Sequence, residues 1–153
     1  MKDTKGTKLY NVIFPVWMVI LLPQLWIAVF AGNFIIDSLV LIVLMSAFKM
    51  SERKQWYKKH ILKVFSFGFI SDFIGALYML GILYLGAFLE FEVEVDAPLL
   101  TVPAMVLSAA LIFVFNYFVS FKKADRKIRL KSSIVLAVCT APYTFLIPVS
   151  WLY

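Results

Sequence analysis

The stretch Lys49-Met50-Ser51-Glu52-Arg53-Lys54-Gln55-Trp56-Tyr57-Lys58-Lys59-His60-Ile61-Leu62-Lys63 holds six bases and a single acid between two long apolar runs. A second such segment, 122–131, holds Lys122, Lys123, Arg126, Lys127, Arg129 and Lys131. The remaining bases are Lys2, Lys5 and Lys8, so all fifteen Lys and Arg residues fall in three short segments. The segment Glu90-Phe91-Glu92-Val93-Glu94-Val95-Asp96 is the reverse, with four acids and no base. Loops rich in Lys and Arg stay on the cytoplasmic side of a membrane, so this alternation predicts a polytopic helical membrane protein.

Composition agrees. Of the 153 residues, 63% are apolar, and the mean hydropathy is +0.91, well above the roughly 45–50% apolar content of soluble domains. The net charge of +6 is confined to loops beside apolar runs, which fits anionic lipid headgroups and argues against nucleic acid as a partner. Cys139 and His60 are the only residues of their kinds. An intrachain disulfide or a Cys/His zinc site is therefore not expected, nor is any other metal or cofactor. Cys139, in an apolar stretch, is expected to be a small buried hydrophobe.

The apolar runs are continuous rather than alternating, and backbone groups in lipid must pair within their own segment, so the fold class is all-α. The expectation is one transmembrane domain over 1–153, a bundle of five helices near 12–31, 34–48, 64–89, 99–121 and 133–152. Gly32-Asn33 would form a tight turn joining the first two spans. The N-terminus and both basic loops would face the cytoplasm and the C-terminus the outside. The second span, about 15 residues or about 22 Å, is short, with a re-entrant hairpin as the alternative. Residues 51–63 read as an amphipathic interfacial helix running into the third span, with Met50, Tyr57, Ile61 and Val64 on one face and Trp56 and Tyr57 at the headgroup level.

Within the spans the acids are Asp37 and Asp72, with no base beside them. A central Asp costs roughly 2.5–3.5 kcal/mol to insert, so each calls for a proton, a small cation or water as counterpart. Gly68, Asp72, Gly75, Met79, Ile82 and Gly86 recur every three or four residues, a small-residue stripe that lets helices approach and turns Asp72 toward the bundle. Counted along the helices, Asp72 lies about 12 Å from the inner surface, Asn116 about 8 Å and Thr140 about 10 Å, so these three are expected to share a polar pocket. Asp37 is expected about one turn from the outer end, with Gln24 slightly deeper. Pro23 and Pro142 would break spans one and five and free the carbonyls of Val19 and Val138. Interrupted helices beside ionisable groups point to a transport site. His60, after two lysines, is read as exposed. The alternation in 90–96 suggests an extended segment with its carboxylates on one face and its apolar side chains on the bundle.

No nucleophile–base pair or phosphate-handling cluster is visible, so an enzyme is not expected. The favoured function is a transporter or channel for a small solute or cation, with a protonatable intramembrane aspartate. The alternative is a non-catalytic membrane module, an accessory, immunity or lipid- or partner-binding subunit, with homo-oligomers or a membrane-protein partner possible in either case. Lys dominance over Arg and simple loops point to a bacterial plasma membrane.

Overall fold

The computed structural model describes residues 23–91, 93, 94 and 97–146. Four helices carry the fold: α1 Pro23–Ala47, α2 Arg53–Phe88, α3 Pro98–Phe115, prolonged by a π-helical turn Asn116–Ser120, and α4 Arg126–Cys139. A short 3₁₀ turn, Tyr143–Leu146, follows. Among the described residues there is no strand. Phe30–Ala47, Arg53–Phe88 and Pro98–Ser120 are long and apolar enough to cross a membrane.

α1 corrects the expected hairpin. Gly32 and Asn33 are helical, in the middle of 25 continuous helical residues, so the expected spans 12–31 and 34–48 are not divided there. A two-residue turn at that point would have left about four N–H and four C=O groups unpaired inside an apolar run. Keeping Gly in the helix costs only about 1 kcal/mol. The chain turns instead after Ala47. Met50 N–H donates to Met45 O at 3.1 Å, and Lys49 adopts φ 48°, closing the helix by the six-to-one bond of a left-handed C-terminal motif. The same device ends α2, where Phe91 N–H donates to Gly86 O at 2.9 Å and Glu90 has φ 59°.

The segment 51–63 is continuous with the span that follows, as expected, although α2 starts at Arg53 and its N-cap, Glu52, makes no side-chain cap. Over 90–96 the chain is irregular at Phe91, Val93 and Glu94, while Glu92, Val95 and Asp96 lie outside the described residues. Val93 rests on Gly86. The expected span 133–152 is broken within its described part: α4 begins at Arg126 and ends at Cys139, with residues 140–142 non-helical before the 3₁₀ turn, and 147–152 lie outside the described residues. Pro142 explains the break, having no N–H to bond Val138 O. That carbonyl is not left free, because the Tyr143 hydroxyl donates to it. The expected bend at Pro23, and the part of span one before it, lie outside the described residues.

Each helix runs antiparallel to the next. Phe34 meets Phe65 across α1–α2, Trp56 stacks on Phe121 at 5.5 Å, and Phe67 stacks on Phe115 at 5.0 Å. Both basic segments therefore gather at one end and the acidic loop at the other. α1 also touches α4, closing the four helices into a ring. Its core includes Leu41, Val64, Ile112 and Leu136, one from each helix and each no more than 1% exposed. Outward positions such as Ile35, Val43, Phe73 and Val106 are exposed and apolar, as in a bundle solvated by lipid.

Candidate carboxyl site in the bundle interior

Asp37 lies one turn from Leu41 on α1 and Asp72 two turns from Val64 on α2, on the facing sides of the two helices. Side chains tilt toward the N-terminus of their own helix, and α1 and α2 are antiparallel, so the two carboxyl groups lean toward each other. Gly68, one turn from Asp72 on the same face of α2, faces Asp37. A methyl added there would come within 3.6 Å of Asp37 Oδ2, so a bulkier residue would fill the space. Asp37 is 4% exposed. Asp72 Oδ1 is buried without a hydrogen-bond partner. Among the described residues neither aspartate is in an ion pair. Its ten-residue separation from Ala47 puts Asp37 about 15 Å inside α1. The expected position near the outer end depended on the turn at Gly32-Asn33 and is corrected with it.

The Gly68–Gly86 stripe does face the bundle. Gly68, Gly75 and Gly86 are buried, whereas Gly81, off the stripe, is exposed. Gly75 packs on Ala104 O, Ser108 Oγ and Phe145. Beside it Ser108 Oγ donates to Ser71 O at 3.0 Å, and Ser71 Oγ to Phe67 O at 2.7 Å. This tight seam fixes the height of Asp72 against α3.

The expected pocket of Asp72, Asn116 and Thr140 does not form as such. The Phe67–Phe115 stack sets Asn116 level with Val64, about 12 Å from the level of Asp72. Asn116 is fully buried and its Nδ2 donates to Ile112 O at 2.9 Å. Thr140 donates its hydroxyl to Leu136 O at 2.8 Å, within its own helix. Gln24 lies in the first turn of α1, and its side chain lies outside the described residues.

Besides the Ser71–Ser108 seam, three polar residues without hydrogen-bond partners were missed by sequence reasoning. Ser120, Ser132 and Ser133 are buried, and with Asn116 Oδ1 their oxygens lack hydrogen-bond partners. Their faces are readable: Ser132, Ser133, Leu136 and Ala137 share one side of α4, and Asn116 and Ser120 one side of the π-helical turn. The turn itself has no sequence signal. Two further expectations are corrected. His60 is 4% exposed, packed at a tilt against the stacked rings of Trp56 and Phe121, because it shares the inward face of α2 with Ile61 and Val64. Cys139 is exposed, on the outward face of α4 with Val138.

Two clefts stand out, one of about 440 Å³ at the basic end and an apolar one of about 350 Å³ beside Ile42 and Tyr57. Neither is lined by Asp37 or Asp72. Among the described residues no three His, Cys, Asp or Glu side chains converge as metal ligands. No protein-family model matches the chain, and neither a curated protein nor a solved structure is similar to it.

Proposed function

We propose that the protein is a small bacterial plasma-membrane transporter or channel whose Asp37–Asp72 pair binds a proton or a small cation. One observation carries this reading: Asp37 of α1 faces Gly68, one turn from Asp72 on the same stripe of α2, and among the described residues no base pairs with either acid. An uncompensated buried carboxylate costs several kcal/mol, and two in one place repel each other. A mobile positive charge relieves both penalties. The basic end faces the cytoplasm on this reading, by the charge of its loops. We assign no enzymatic step.

The second reading is a non-catalytic module that binds a membrane protein or another copy of itself. The separation of both clefts from Asp72, and the apolar outer faces of α1 and α2, favour it. Reconstitution into liposomes decides between them. Transport predicts proton, Na⁺ or K⁺ flux above that of protein-free vesicles, lost at least about tenfold in Asp72→Asn and Asp37→Asn, which corresponds to about 1.4 kcal/mol or more. Helical circular dichroism should be unchanged. Absence of flux, or equal flux in the variants, would contradict transport and leave the module.

A further inference from the structure

The cleft at the basic end lies between the N-terminus of α2 and the N-terminus of α4, the two points where the basic segments enter helices. Glu52, Gln55, Lys59 and His60 line it from one side, and Lys123 and Asp125 from the other. None of the four charged side chains among these is in an ion pair or a hydrogen bond. Both helices open without a side-chain cap, Glu52 at α2 and Asp125 at α4. Their first N–H groups are thus left unpaired by side chains, the arrangement that receives phosphate oxygens.

A buried group also faces this cleft. His60, 4% exposed, has Nδ1 2.7 Å from Trp56 O. A carbonyl only accepts, so Nδ1 carries the hydrogen and, in the neutral ring, Nε2 is an acceptor. Nε2 makes no hydrogen bond. The cleft therefore offers donors and positive charge (Lys59, Lys123 and two helix N-termini) together with acceptors and negative charge (Glu52, Asp125 and His60 Nε2). A simple anion would use only the first set. A phosphate ester bearing a primary ammonium uses both.

We propose that this cleft binds the headgroup of an aminophospholipid, phosphatidylethanolamine. Lys59, Lys123 and the helix N-termini hold the phosphate, and Glu52, Asp125 and His60 accept from the ammonium. The level of the cleft suits a lipid, since Trp56 lines it and indole rings settle at the headgroup region. Two charges of each sign distinguish this headgroup from a purely anionic one. The proposal requires that the chain sit in a bilayer but not that it transport anything, so Asp72→Asn should bind the lipid as the wild type does.

The test is lipid retention by native mass spectrometry of the full chain, released from bilayers with equal parts phosphatidylethanolamine, phosphatidylglycerol and phosphatidylcholine. The expected result is preferential retention of phosphatidylethanolamine, reduced about tenfold (about 1.4 kcal/mol) by Lys59→Ala combined with Lys123→Ala. Glu52→Gln should remove the preference over phosphatidylglycerol while leaving phosphate binding. These side chains are exposed, so the variants should keep the wild-type helical content. Soluble O-phosphoethanolamine should compete, and inorganic phosphate should compete less well. Equal retention of the three lipids, or retention unaffected by the variants, would overturn the assignment. Binding of the soluble ester without the lipid would also overturn it, giving the cleft to a free phosphoester.

Discussion

At the scale of the residue, space and hydrogen bonding separate positions that look alike in the sequence. Gly75 and Gly81 are both mid-helix glycines of α2. A Cβ at Gly75 would collide with Ser108 Oγ and lie 3.1 Å from Ala104 O, whereas one at Gly81 meets nothing within 4 Å. Gly75→Ala should therefore destabilise by about 1–3 kcal/mol, and Gly81→Ala should be neutral or stabilise by up to about 1 kcal/mol. Denaturant titration in detergent checks both, and equal effects would contradict the close α2–α3 seam. Phe121 is fully buried against Trp56 and His60, so Phe121→Ala should cost about 3–5 kcal/mol by the same measurement. The inward face of Asp72 was legible because its stripe repeats every three to four residues. The approach of Asp37 to that stripe was not, since it brings Asp37 to Gly68, 31 positions away, and no local pattern encodes that contact.

At the scale of the element, the helical class and the α2–α3 hairpin were legible in apolar length and in the charges at its ends. The division of the first apolar run was not. Gly-Asn is a turn signal in water, where unpaired backbone groups find solvent. Within an apolar run those groups have no such partner, and the helix continues. Gly32→Ala, with no atom within 4 Å of the new methyl, should leave the fold intact and stabilise α1 by up to about 1 kcal/mol. Loss of folding in that variant would restore the turn. The ends of α1 and α2 carry the opposite lesson. Lys49 and Glu90 take the left-handed conformation that glycine adopts without strain, so Glu90→Gly should stabilise the C-terminus of α2 by about 1 kcal/mol, seen as slower hydrogen exchange there. The break before Tyr143 was legible from Pro142. The closing of Val138 O by Tyr143 was not, because it depends on how the chain turns after the break.

At the scale of the whole molecule, four antiparallel helices place twelve bases at one end, Asp37 and the Asp72 carboxyl inside the ring and the acidic loop at the other end. Cysteines introduced at Gln55 and Val93 should label from opposite sides of the membrane, and labelling of both from one side would contradict this arrangement. The pairing of Asp37 with Asp72 is tested most directly by infrared difference spectroscopy of the reconstituted protein, recorded as pH is lowered or Na⁺ or K⁺ is added. A shared site predicts that the carboxyl bands of the wild type respond as one coupled signal. Asp37→Asn and Asp72→Asn should then each change the band that remains. Two independent signals, each variant removing its own half and leaving the other untouched, would contradict it.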